Sequence, residues 1–254
     1  MIELYYDTEP LRTIDEAYGR YKESEFESPH RSTIPLLSWL KHEPHVVEEL
    51  LDDLAIPTNR SCHLEFGVKS PKGKGPPSQT DLMVISEGTS LAVECKWTEP
   101  VKETLSEWYH AVNENNGPLV LQGWLQLLQR AAENQLDPGQ FSEVINQMIH
   151  RAASACGAAE CPSLAYLVFR PSMFEYTTDT RLIRDELAHL WRLLGRPKDF
   201  PFFLVEVEMK YTKAFERIAK LPKKSQETTL RVKDALASPA RLFHFESPRI
   251  ERLA

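Results

Sequence analysis

Asp81-Leu82-Met83-Val84-Ile85-Ser86-Glu87-Gly88-Thr89-Ser90-Leu91-Ala92-Val93-Glu94-Cys95-Lys96 is the stretch whose reading decides the fold. Two short apolar runs flank Glu87-Gly88, and that pattern is a β-hairpin. With Glu87-Gly88 as a two-residue loop, Ser86 faces Thr89 and, in the same register, Asp81 lies opposite Glu94. Opposed side chains share a face, with Cβ atoms about 4.5–5.5 Å apart. Lys96 joins that face because side chains alternate along a strand. The other residues of both strands are largely apolar, which predicts burial on both sides. Two carboxylates at about 5 Å repel by roughly 3 kcal/mol at an effective dielectric near 20. A divalent cation offsets such repulsion, and Mg²⁺ is commonly held by one or two carboxylates, with water and phosphate completing its shell.

Working outward, residues 63–68 alternate as a strand, and residues 70–79 form a loop rich in Pro, Gly and Lys. Upstream, Ser32-Thr33 with Pro35 signals a helix start. Leu36, Leu37, Trp39, Leu40, Val46, Val47, Leu50, Leu51 and Leu54 then recur near helical spacing, with Pro44 placed to split them into two helices. Downstream, helices are predicted over 105–113, 119–133 and 141–156, with a turn at Asp137-Pro138-Gly139. A buried strand over 164–169, a helix over 179–194, a strand over 202–207 and a helix over 213–221 complete the pattern. Residues 1–31, polar and aperiodic, read as an N-terminal extension with one short helix. Residues 222–254 read as a C-terminal extension with a helix over 226–237 and an irregular end. Residues 32–221 are then one α/β domain around a mixed sheet.

Thr80-Asp81 followed by Glu94-Cys95-Lys96 resembles the PD-(D/E)xK nuclease superfamily, the restriction-endonuclease-like proteins. The resemblance covers residues 33–170, with a further strand at 202–208, and implies an αβββαβ core with a central mixed sheet flanked by helices. It implies that Asp81 and Glu94 bind Mg²⁺, with Mn²⁺ able to substitute, and that Lys96 positions or deprotonates the attacking water. An upstream acid often joins the metal shell in this superfamily; Glu65 is the candidate, and Glu48 or Glu49 on the first helix competes. A glutamine on the helix after the E-x-K strand is frequent, and Gln147 fits that helix better than Gln122. Thr80 departs from the superfamily's usual proline. A second E-x-K, Glu208-Met209-Lys210, has Asp199 upstream but no turn between them, so no hairpin presents that aspartate opposite Glu208.

Lys69, Lys72 and Lys74 are candidate contacts for a nucleic-acid backbone, against a plain solvated connector, which three lysines in six residues favour. Trp97, Trp124 and Trp191 read as core anchors ahead of base-stacking platforms. The histidines show no ligand-spaced pair. The four cysteines form no Cys-x-x-Cys, and are expected reduced and mostly buried, without a zinc site. Hydrophobic content of 42% with 26% charge fits a soluble globular chain. The N-terminus lacks the basic start and apolar stretch of a secretory signal, which favours the cytoplasm. Formal charge is −7, with 37 acids against 30 bases, which counts mildly against a partner held by phosphate neutralisation.

The expectation is therefore an Mg²⁺-dependent nuclease acting on DNA in a defence, restriction or repair setting, as a homodimer or within a larger complex. The alternative is an inactive nuclease-fold protein that binds nucleic acid or protein.

Overall fold

The hairpin stands near the middle of a nine-stranded mixed sheet in the computed structural model, which describes residues 2–101, 103–111, 115–172 and 177–253. Its arms are β4 (Ser78–Ser86) and β5 (Thr89–Lys96), following β1 (Glu3–Tyr6), β2 (Glu9–Leu11) and β3 (Ser61–Val68). Beyond them come β6 (Cys161–Pro171), β7 (Phe202–Tyr211), β8 (Phe243–Phe245) and β9 (Arg249–Arg252). The order is β2-β1-β3-β4-β5-β6-β7-β8, with β9 also on β7. β3, β4 and β5 run antiparallel, whereas β5, β6 and β7 run parallel. Parallel neighbours need long crossovers, and helices supply them here.

Eight α-helices cover the two faces among the described residues: α1 (Thr33–His42), α2 (Pro44–Asp53), α3 (Leu105–Ala111), α4 (Gly117–Leu128), α5 (Asn146–Ala158), α6 (Thr180–Leu193), α7 (Lys213–Ala219) and α8 (Gln226–Ala237). Strand alternation sorts the core into two layers. Leu82, Val84, Val93 and Cys95 pack with Leu37 of α1, Leu50 of α2, Phe215 of α7 and Val232 of α8. Met83, Ala92 and Tyr166 pack with Leu128 of α4, Met148 and Ile149 of α5, and Leu187 of α6. The sheet is thus covered on both sides, and β4 and β5 are buried on both faces as their composition requires.

Several boundaries differ from the sequence reading. Pro44 opens α2 and splits the first helical stretch as expected. α4 stops at Leu128 rather than 133, and α5 begins at Asn146 rather than 141. Pro138–Phe141 is a 3-10 turn, and an isolated bridge between Thr104 and Ile145 holds the entry to α5. Residues 112 and 113 of the predicted helix over 105–113 lie outside the described residues. The largest correction concerns the ends. The described part of 1–31 supplies β1 and β2 and buries Tyr18, Tyr21 and Phe26 in the core. The 222–254 segment supplies β8, β9 and the buried Val232, Leu236 and Phe243. These strands are three or four residues long, too short to show alternation. No helix of the described residues is long and apolar enough to cross a membrane.

Candidate functional site

The hairpin turn is the two-residue loop predicted, with Glu87 (φ 40°) and Gly88 (φ 80°) both in the left-handed region that such a turn requires. The register follows: Ser86 pairs with Thr89 and Leu82 with Val93. The ladder stops there. At the next position Asp81 Oδ2 accepts the Cys95 N–H at 2.7 Å, so the side chain takes a bond the backbone would otherwise make. Asp81, Glu94 and Lys96 all line one cleft of about 530 Å³.

Glu94 is 3% exposed and Lys96 4%, and both sit at the cleft floor. Lys96 Nζ donates to Glu94 Oε1 at 2.8 Å and to Gln147 Oε1 at 2.9 Å, while Gln147 Nε2 donates to the same Glu94 Oε1 at 2.6 Å. Gln147, from the first turn of α5, thus joins the strand residues in a closed triangle. The same helix brings Arg151, whose Nε donates to Glu94 Oε2 at 2.5 Å and whose Nη1 donates to Ser78 Oγ at 2.6 Å. Ser78 Oγ also meets His150 Nδ1 at 2.7 Å.

Glu65 also lines the cleft. Its flanking residues pair across the strands, Leu64 with Leu82 and Phe66 with Thr80, but Glu65 and Asp81 between them do not. Glu65 has φ 51°, a left-handed conformation inside a strand. A non-glycine residue held there costs on the order of 1–3 kcal/mol, and such strain concentrates at functional sites. Glu48 and Glu49 are not part of the lining. Their helix, α2, packs on the opposite face of the sheet. Glu25 does line the cleft, held by Arg31 at 2.7 Å and accepting from Thr33 Oγ1 at 3.1 Å.

Of the three loop lysines, only Lys74 lines this cleft; Lys69 and Lys72 stand with it around an adjoining hollow. The loop is fastened to α4. Lys74 N donates to Asn116 Oδ1 at 2.7 Å, Asn116 Nδ2 donates to Lys74 O at 2.6 Å, and Ser70 Oγ donates to Val120 O at 2.9 Å. Gly123 permits this approach, since a Cβ there would stand 1.9 Å from Ser70 Oγ. The connector is therefore a fixed cleft wall.

The charges are unevenly matched. Burial opposes the charge of Glu94, but Arg151 and Lys96 outweigh it and hold its carboxyl down at about 2. Asp81 goes the other way: burial first, then the neighbouring Glu94, pushes it well above the usual carboxylate range. Burial, with Glu25 adding to it, lifts Glu65 to about 7. Burial opposes the Lys96 charge, yet Glu94 and Asp81 keep its ammonium above the ordinary value. Among the described residues Asp81 and Glu65 form no ion pair, whereas Glu94 is paired with both Lys96 and Arg151. Among the described residues, no group of three or more His, Cys, Asp or Glu side chains stands close enough to hold a metal ion.

The remaining expectations sort simply. Glu208 and Lys210 lie on β7 away from the cleft, with Lys210 paired to Glu246 on the surface. Trp97 is fully buried; Trp124 is buried and also forms part of the cleft lining. Cys62, Cys95 and Cys156 are buried free thiols and Cys161 is exposed. Sequence reasoning missed Arg151, although its place four residues after Gln147 puts both on one helix face. It also missed Ser78, at a loop-to-strand junction, and Glu25, in a 3-10 turn over Glu23–Phe26 too short to carry a periodic signal.

No curated protein and no solved structure matches this chain. A family model described as "Domain of unknown function (DUF6946)" matches residues 10–200, a span that contains every residue lining the cleft, and the chain belongs to that family.

Proposed function

We propose that the chain is an Mg²⁺-dependent nuclease with a restriction-endonuclease-like core, cleaving phosphodiester bonds in DNA. The observation that carries this reading is the floor of the cleft, where Glu94 and Lys96 of the hairpin meet Gln147 of α5 and Asp81 of the same hairpin lines the same space. Glu65, Asp81 and Glu94 would hold the ion. They are hard oxygen donors of the kind Mg²⁺ and Mn²⁺ prefer. Asp81 and Glu65 are carboxyls whose charge is opposed by burial and by acidic neighbours, as ligands short of a cation would be. The buried Tyr166 hydroxyl, near Glu94 and Asp81, has no hydrogen-bond partner among the described residues. When bound, the ion supplies Lewis-acid assistance to the phosphate and its attacking water.

The chain's own residues do the rest. Lys96, held charged at 4% exposure, stabilises negative charge developing on the phosphate and orients the water. Gln147 fixes the Lys96 ammonium and one Glu94 oxygen in a single geometry. Lys74, which lines the cleft, would meet the strand's phosphates. The reading extends to a cytoplasmic protein, acting as a homodimer or within a defence or repair complex.

The test is incubation of purified protein with single- and double-stranded DNA and RNA in Mg²⁺ or Mn²⁺. Cleavage is expected, and Asp81→Ala or Lys96→Ala should abolish it while circular dichroism is unchanged. Protein that cuts none of these substrates with either ion would refute the reading. One observation favours a second reading, a binding module without turnover: both Glu94 oxygens are already bonded within the protein. Such a module would show no Mn²⁺ site that Asp81→Asn removes.

A further inference from the structure

Glu94 has its hydrogen-bonding directions taken from two sides. Oε1 receives Lys96 and Gln147, and Oε2 receives Arg151 Nε at 2.5 Å. Lys96 and Gln147 are the donors expected around the glutamate of such a site. Arg151 is an additional, permanently charged donor on the one oxygen they leave open. Its guanidinium is 7% exposed and has a second attachment, Nη1 to Ser78 Oγ at 2.6 Å, with His150 Nδ1 3.2 Å from the same nitrogen. Nη2 makes no hydrogen bond among the described residues, and Arg151 is part of the cleft lining.

A divalent cation at Glu94 Oε2 would sit against the guanidinium that already holds this oxygen at 2.5 Å, and the two positive charges repel. The geometry points to Arg151 as an internal counter-cation, a positioning residue that occupies Glu94 until a divalent ion binds and must leave Oε2 for it to do so. The inference rests on the metal-dependent reading above and adds a device to it. Ser78 is the hinge. If Nη1 keeps its bond to Ser78, the Nε and Nη2 edge swings from Glu94 toward the cleft. There it is presented as a planar fork, the geometry that recognises phosphate oxygens in pairs. One arginine would then hold the floor charge-balanced without the ion and supply a phosphate contact with it.

The consequence is a sign opposite to that of an ordinary supporting residue. Removing Arg151 should tighten divalent binding rather than weaken it. Removing the guanidinium from Glu94 relieves its repulsion of an incoming cation, so Mn²⁺ should bind about tenfold tighter or more. The experiment is calorimetric titration of Mn²⁺ into the full chain, into Arg151→Met and into Arg151→Lys. Arg151→Met should bind about tenfold tighter than the parent, and Arg151→Lys, which keeps the charge, should stay close to the parent. A folded Arg151→Met that binds Mn²⁺ equally or more weakly overturns the inference and leaves the metal reading standing. Failure of parent and variants alike to bind millimolar Mn²⁺ overturns both.

If Arg151→Met does not fold, the parent itself provides the measurement. The Arg151 Nε–H resonance, identified by its absence from Arg151→Lys, should shift as Mg²⁺ saturates the site. An unmoved resonance under saturating Mg²⁺ rejects the exchange.

Discussion

Replacing Glu65 with glutamine tests the electrostatic account of the cleft through folding stability alone. Burial and Glu25 raise the Glu65 carboxyl from 4.5 to about 7. The folded state therefore keeps its proton after the unfolded chain has lost it. Below about pH 4.5 both states are protonated and nothing distinguishes them. Between there and pH 7 the folded protein binds more protons than the unfolded one, so stability falls as pH rises. The slope is about 1.4 kcal/mol per pH unit, and over this interval the loss reaches roughly 3 kcal/mol, complete above pH 7. Glutamine has nearly the shape of the protonated acid and cannot ionise, so Glu65→Gln should escape this loss. Urea unfolding in the presence of a chelator should show parent and variant nearly equal at pH 4.5 and the variant more stable by up to about 3 kcal/mol at pH 8. A pH-independent difference, or a variant less stable at pH 8, would refute the claim that Glu65 is a desolvated carboxyl without a counter-charge. Saturating Mg²⁺ should shrink the gap on the parent's side, since an ion that neutralises Glu65 removes the penalty.

Gly123→Ala should destabilise even though alanine favours a helix by about 1 kcal/mol. Its Cβ would stand 1.9 Å from Ser70 Oγ and 2.8 Å from Lys72 N, and overpacking of this kind costs about 1–3 kcal/mol. Thermal melting should fall by a few degrees, and trypsin should cut at Lys69 or Lys72 faster than in the parent, because the loop comes off α4. Lys96→Met should abolish hydrolysis but lower stability by only about 1–3 kcal/mol in urea, because Glu94 retains Arg151 and Gln147; retained cleavage would remove Lys96 from the chemistry. Lys210→Ala, in the second E-x-K, should leave both cleavage and melting temperature unchanged, since among the described residues that side chain pairs with Glu246 on the surface. A disulfide-exchange reagent should titrate one fast thiol, Cys161, in the native protein and all four only after denaturation.

What the sequence determined by itself was local. A two-residue turn of Glu87-Gly88 fixes a hairpin's register by counting, and so the strand positions of Asp81, Glu94 and Lys96 followed from spacing, as did the pairing of Leu82 with Val93. Helical periodicity likewise placed α1, α2, α6 and α8 to within a residue or two. The edge strands β1, β2, β8 and β9 were not legible, because three or four residues carry too little alternation and, apart from the β1–β2 hairpin, their pairing partners are remote in the chain. Nor was it legible that Glu65 lines the cleft and the acids of α2 do not. That depends on which face of the sheet α2 packs against, a matter of crossover topology. Tertiary structure also decided the state of the hairpin's own residues. Asp81 spends its carboxylate on the Cys95 N–H, and Glu94 is saturated by Gln147 and Arg151 from a helix more than fifty residues away in sequence. Spacing sets which side chains share a strand face, but their charge and hydrogen bonds are set by what the rest of the fold packs over that face.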